Sequence, residues 1–121
     1  MNIGQIKSRF PKAQLTLPGR AGSFVVEFII DTGFDGELAL PPSLAARLEA
    51  EIAGRQTLSL ADGTTLFSPY YRVVIEDWEG EERLTEVLLL DGQPLLGVNL
   101  IHGYLLQMEM TEGGEVEIET L

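Results

Sequence analysis

The pattern of apolar and polar residues along the chain predicts short strands separated by turns. Residues 14–17 alternate between polar and apolar side chains, and residues 24–30 form a mostly apolar run of the length of a buried strand. The same pattern predicts further strands, joined by glycine-containing turns at 61–63, 79–80 and 113–114: 56–60, 64–75, 84–90, 104–110 and 116–121. A mainly β fold is therefore expected.

One short helix is predicted among these strands. Two adjacent prolines suit a first helical turn, and apolar residues then recur at four-residue spacing, namely Leu44, Leu48 and Ile52. The expected helix covers residues 42–53. No internal repeat, low-complexity segment or linker interrupts the pattern, so residues 1–121 are expected to form a single domain.

Composition and charge exclude several classes of function. Eight basic against nineteen acidic side chains give a net charge of −11, which repels phosphate groups, so neither nucleic acid nor a membrane surface is expected as a partner. Cysteine is absent, which excludes disulfides, thiolate nucleophiles and thiolate zinc sites. No apolar run has the length of a signal peptide or of a bilayer span, and the expected location is cytoplasmic.

The residues with the clearest chemical potential follow the apolar run at 24–30. Asp31 comes directly after this run, and Thr32 and Gly33 come next. A carboxylate at the end of a buried strand is partly desolvated, the threonine supplies a compact hydroxyl, and the glycine lets another backbone approach closely. Taken alone, an aspartate followed by small residues also suits an ordinary turn.

Two motifs together favour a functional interpretation of this triplet over an ordinary turn. Residues 28–33, Phe-Ile-Ile-Asp-Thr-Gly, resemble the hydrophobic-hydrophobic-Asp-Thr/Ser-Gly motif of clan AA aspartic peptidases. Residues 95–101, Leu-Leu-Gly-Val-Asn-Leu-Ile, are similar to the hydrophobic-hydrophobic-Gly-x-Asn-Leu-Leu segment of retroviral proteases. The resemblance extends over nearly the whole chain, with residues 58–68 in the place of the flap hairpin, and is closer to small single-domain prokaryotic members.

The resemblance implies a fold and a reaction. The fold would be a retropepsin-like closed β-barrel of the acid-protease type with one or two short helices. Because the chain carries one Asp-Thr-Gly triplet and the reaction needs two aspartates, a homodimer is implied. Asp31 of each subunit would then help to activate a water molecule, so that the dimer hydrolyses peptide or protein substrates as an aspartic endopeptidase without a cofactor.

The resemblance also implies roles for individual residues. Thr32 and Gly33 complete the catalytic loop, and Gly97 and Asn99 support that loop from beneath. The residues expected to contact substrate or to form the flap are Phe34, Asp35, Ala61, Asp62, Gly63 and Thr64. Phe34 departs from the viral pattern, in which a small Ala or Ser follows the triplet, and the flap tip here carries a single glycine.

Other interpretations stay open at this point. The main alternative is a catalytically inactive retropepsin-like module that binds peptides or dimerises, because a fold does not guarantee a function. Another is a monomeric β-barrel that binds small apolar ligands. Asp31 and Asp35 have two features of a calcium loop, but Gly33 and Pro42 stand where oxygen ligands belong, so no metal is expected. The single histidine, His102, is interpreted as structural.

Overall fold

The structure is a computed structural model that describes residues 1–121, apart from the side chain of Leu58. Ten strands and two short helices follow one another along the chain: β1 (Asn2–Lys7), β2 (Phe10–Leu17), β3 (Phe24–Ile30), β4 (Leu38–Leu40), α1 (Pro42–Ala45), β5 (Ile52–Ser59), β6 (Thr65–Trp78), β7 (Glu81–Leu89), β8 (Leu95–Leu96), α2 (Val98–Ile101), β9 (Tyr104–Met108) and β10 (Glu115–Thr120). Strands hold 57% of the residues and helices 7%, which confirms the mainly β class. Among the described residues, no helix has the length and apolar character needed to cross a membrane.

All ten strands belong to one sheet, in the order β5-β6-β7-β4-β8-β3-β2-β1-β10-β9. Neighbouring strands are antiparallel except for two parallel pairs, β3 with β8 and β4 with β7. This strand order shows that the prediction of a closed barrel is wrong. Closure requires the two edge strands to pair, whereas β10 pairs with β1 and β9, and β5 pairs only with β6. The sheet therefore stays open between β5 and β9.

The open sheet curls around one main core. β2 contacts β6 although four strands lie between them in the sheet. Every second side chain of β2 and β3 points into this core, in keeping with the two-residue period of a strand. Cross-strand pairs such as Leu15 with Val26 and Ala13 with Phe28 fill it. Each large side chain buried in this way contributes roughly 1.5–3 kcal/mol, so the core holds β3 rigidly where it enters the loop that follows.

The predicted helix over residues 42–53 is wrong in length, because α1 is a single turn. Leu48, expected on one face of that helix, instead forms a β-bridge with Gly19. The next backbone N–H, of Glu49, donates to the carbonyl of Pro18 at 3.1 Å. Pairing with a distant turn thus overrides the four-residue periodicity, since propensity is weaker than tertiary contact over so short a segment.

Candidate active site

The Asp31-Thr32-Gly33 triplet lies in a loop directly after β3. The Asp31 N–H donates to the carbonyl of Leu96 in β8 at 2.9 Å, and the Phe34 N–H donates back to the Asp31 carbonyl at 3.1 Å. Oδ1 of Asp31 accepts the Gly33 N–H at 2.9 Å. These bonds fix a half-buried carboxylate in a tight turn. They use one carboxylate oxygen, which leaves the other to act on a ligand or water.

Two side chains of the loop point to solvent. Thr32 and Asp35 are exposed, and neither side chain forms a hydrogen bond to another described residue of the chain. The Thr32 hydroxyl is therefore accessible to a second molecule. Asp35 does not orient the loop within this chain, so its predicted contact with substrate stays a prediction.

The tip of the β5–β6 hairpin lies next to the triplet. A Cβ atom placed on Gly33 would lie 3.3 Å from the Cβ of Ala61, so the predicted flap and the predicted catalytic loop come together. Within the tip, the Leu60 N–H donates to the Thr64 carbonyl at 2.8 Å, and the Gly63 N–H donates to the Leu60 carbonyl at 3.0 Å. Gly63 has a φ of +87°, which glycine adopts without strain.

Asp62 stabilises the shape of this tip. Its Oδ1 accepts the Thr64 N–H at 2.9 Å and the Thr64 hydroxyl at 2.6 Å. The bond from the hydroxyl, followed by the bond from the backbone N–H, holds the pKa of Asp62 below its ordinary value of 3.8. A short side chain that bonds to the backbone two residues ahead favours a tight turn. Asp62 and Thr64 therefore hold the tip together.

Residues 97–99 support the loop from beneath through their backbone. Three consecutive N–H groups donate to three loop carbonyls: Gly97 to Glu37 at 2.8 Å, Val98 to Phe34 at 3.1 Å and Asn99 to Gly36 at 3.1 Å. A Cβ on Gly97 would lie 2.6 Å from the Phe34 carbonyl oxygen and closer still to that of Gly36, so only glycine fits. Asn99 contributes its backbone N–H, and its side chain forms no hydrogen bond to another described residue.

Phe34 requires a correction, since it was expected to contact substrate. Its side chain is 2% exposed and lies in a second apolar cluster with Ala39 and Leu88. The partly buried side chains that pack against this cluster are Leu60, Tyr70, Leu90 and Leu95. Tyr70 and Leu88 are cross-strand partners in β6 and β7, so they share one face of the sheet and offer the Phe34 ring an apolar surface. The ring therefore turns inwards beneath the loop.

A polar contact that the sequence did not indicate fixes the far end of the loop. Oε1 of Glu37 accepts the N–H of Glu86 in β7 at 2.9 Å. Oε2 of Glu37 lies 3.9 Å from the guanidinium of Arg83. Because Glu37 and its partners are nearly fifty residues apart in the chain, no local pattern signals the contact.

A surface cavity lined by charged and aromatic side chains lies away from this loop. Its volume is about 640 Å³, and its lining includes Trp78, Arg83, His102 and Tyr104. Asp31 does not line that cavity; its side chain is half-buried, while the neighbouring Thr32 and Gly33 are exposed. Among the described residues, no group of three or more His, Asp or Glu side chains is arranged to hold a metal ion.

Comparison with protein-family models gave no match, and neither did comparison with curated proteins or with solved structures. A functional assignment therefore depends on the geometry of the Asp31 loop, the hairpin tip beside it and the backbone support below it.

Proposed function

We propose that this chain is one subunit of a homodimeric aspartic endopeptidase of the retropepsin type. The proposal depends mainly on one observation, that the hairpin tip at Ala61 lies 3.3 Å from the Cβ position of Gly33, beside the carboxylate of Asp31. A carboxylate at a strand end under a hairpin tip is the arrangement that the motifs at 28–33 and 95–101 imply. The exposure of Thr32, Gly33 and Asp35 beside Asp31 also suits a site that a second subunit completes.

Two Asp31 carboxylates facing each other would share one proton. Bringing two carboxylates within a few ångström makes ionisation of both costly, so the pair titrates as a unit, as is general for aspartic peptidases. In each chain the Gly33 N–H stabilises one oxygen of Asp31 at 2.9 Å. This bond orients the carboxylate and leaves the second oxygen for the shared proton or for water.

The reaction proposed is direct attack of water on a peptide carbonyl. The ionised Asp31 takes a proton from the water molecule, and the water oxygen bonds to the carbonyl carbon. At the same time the protonated Asp31 of the other subunit donates a hydrogen bond to the carbonyl oxygen. The C–N bond then breaks, and the leaving nitrogen receives a proton from the aspartate pair. The products are a carboxylic acid and an amine, and no covalent intermediate forms on the protein.

The hairpin would hold the substrate and exclude water. The tip, which contacts the Gly33 position, would first move away from the Asp31 loop. An extended peptide could then enter between them and pair with backbone groups as an added strand. Closure of the tip over the peptide removes bulk water, which strengthens electrostatic interactions with the reacting carbonyl. In this proposal the tip turn at Asp62 and Gly63 forms the closing element.

The proposal is tested with Asp31→Asn and with Asp91→Asn as a matched control, since Asp91 is an exposed aspartate outside the loop. Each protein is incubated with a diverse peptide library from acidic to neutral pH, and cleavage is read by mass spectrometry. We expect Asp31→Asn to lower cleavage by at least about 10²-fold while the control cleaves like the wild type. Sedimentation measures the oligomeric state in parallel.

Two results would count against the proposal. Cleavage that survives in Asp31→Asn would mean that another group performs the chemistry. A confirmed dimer that cleaves no peptide would favour the module that binds peptides or dimerises without turnover.

A further inference from the structure

We infer that Phe34 is a positioning residue that couples the β5–β6 hairpin to the Asp31 loop. Packing of its ring beneath the loop then sets how the hairpin tip lies beside the carboxylate. The consequence for peptide cleavage depends on the proposed function, whereas the mechanical coupling does not.

On the loop side, the Phe34 ring is held between two glycines. A Cβ on Gly36 would lie 2.6 Å from Cζ of Phe34, and a Cβ on Gly97 would lie 2.6 Å from Cδ2. Both backbones therefore approach the ring more closely than any other residue would allow. The backbone of Phe34 is also fixed, because its N–H donates to Asp31 and its carbonyl accepts the Val98 N–H, each at 3.1 Å. Movement of the ring would thus displace the loop that carries Asp31.

On the hairpin side, the same cluster contacts both ends of the hairpin. Leu60, the residue that closes the tip turn, and Tyr70, at the base, both pack against the cluster formed by Phe34, Ala39 and Leu88. The Tyr70 ring also covers β5, since a Cβ on Gly54 would lie 2.9 Å from it. The hairpin and the loop therefore share one apolar support.

The hairpin tip has few other means of holding its position. Residues 61–67 are all exposed, and an element with few buried contacts opens locally at low cost in free energy. Loss of packing in the cluster should therefore appear first as faster opening of the tip. Phe34 is large where a small residue follows the triplet in viral proteases, and the coupling follows from that larger ring.

The first test is amide hydrogen exchange in Phe34→Leu. We expect the N–H groups of Leu60 and Gly63, which close the tip, to exchange about tenfold faster than in the wild type. The control is Phe28→Leu, because Phe28 is fully buried in the main core. This control should lower global stability and leave exchange at the tip unchanged. Equal acceleration in both variants, or none in Phe34→Leu, would overturn the inference.

A second variant, Leu60→Ala, changes the cluster on its hairpin side. We expect this variant to fold, because Leu60 is only partly buried. Leu60→Ala should accelerate tip exchange like Phe34→Leu, and the double variant should be no faster than the faster single variant, as expected of coupled residues. Fully additive effects would show that the two side chains act independently and would refute the coupling.

Kinetics then separate positioning from simple destabilisation. Both variants should raise KM for a cleaved peptide severalfold, and only Phe34→Leu, which also contacts the loop, should lower kcat. Faster tip exchange with unchanged KM would refute the link to substrate binding. If the wild type cleaves nothing, the proposed function fails, while the exchange measurements still decide whether Phe34 couples the hairpin to the loop.

Discussion

Gly97→Ala is the substitution that most directly tests how the Asp31 loop is supported. Gly97 lies between β8 and α2, and its N–H donates to the Glu37 carbonyl at 2.8 Å. An added Cβ would meet both the carbonyl oxygen and the ring of Phe34 at 2.6 Å and would come still closer to the Gly36 carbonyl oxygen. Two of these contacts are backbone atoms, so no change of rotamer can relieve them.

The expected loss follows from that geometry. Ordinary van der Waals contact begins near 3.4 Å, so the loop must retreat by about 1 Å. Overpacking of this kind costs roughly 1–3 kcal/mol, and stretching the hydrogen bonds from residues 97–99 costs about 1 kcal/mol for each bond lost. With one of these bonds lost, we expect Gly97→Ala to lower the free energy of unfolding by roughly 2–4 kcal/mol. A displacement of about 1 Å at the Asp31 carboxylate should also lower cleavage by about 10²-fold.

The assay is urea denaturation at one fixed protein concentration, because the stability of the proposed dimer would depend on concentration. Gly92→Ala is the matched control. Gly92 has a φ of +102° and nothing within 4 Å of an added Cβ, so this change costs only backbone strain, on the order of 1 kcal/mol. Gly97→Ala should therefore be clearly less stable than Gly92→Ala, and cleavage should fall only in Gly97→Ala.

Equal stability of the two alanine variants would refute the reasoning. So would a Gly97→Ala protein that keeps full cleavage activity, since the loop would then tolerate a displacement that the geometry makes unavoidable. Either result would mean that the backbone bonds from residues 97–99 do not position Asp31.

Three further predictions concern other parts of the chain. Thr85→Val should raise the free energy of unfolding, measured by urea denaturation, by about 1–2 kcal/mol. The reason is that the buried Thr85 hydroxyl has no hydrogen-bond partner among the described residues. A less stable variant would contradict this prediction. The lowered pKa of Asp62 means that its bonds to Thr64 stabilise the tip above pH 3.8 and are lost as the pH falls through the lowered value. Exchange at the Thr64 N–H, corrected for the intrinsic effect of pH, should therefore rise in acid for the wild type, but not for Asp62→Asn, which keeps an oxygen acceptor without titrating. Glu27→Gln should cost less than about 1 kcal/mol, since its contact with Lys7 at 2.6 Å is on the surface, and the cost should shrink in high salt.

The sequence predicts those elements whose signal is local. β3 has the predicted bounds because a buried strand is a continuous apolar run, and the turn at Asp62-Gly63 occurs as expected because glycine supplies the positive φ. The pairing of β1 with β10 was not foreseen, since it joins Gly4 to Val116 and has no local signature. That single pairing adds β10 and β9 to the end of the sheet opposite β5.

The candidate site also combines features that have a local sequence signal with features that have none. The positions of Asp31 and of the hairpin tip come from motifs that lie next to strand ends, where the chain direction is set by neighbouring residues. The direction of the Phe34 side chain is decided elsewhere, by the register that sets Tyr70 opposite Leu88. A one-residue shift of that register would place Tyr70 and Leu88 on opposite faces of the sheet. No pattern within the loop could reveal this.

The inward turn of Phe34 makes this residue, Gly36 and Gly97 interdependent. A phenylalanine after the triplet requires glycine at 36 and at 97, because both backbones touch its ring at distances that exclude a side chain. Exchanging Phe34 for alanine would therefore leave a cavity beneath Asp31, since both glycines would lose their contact. Phe34 is thus better understood as part of the support of the Asp31 loop than as a residue that contacts a ligand.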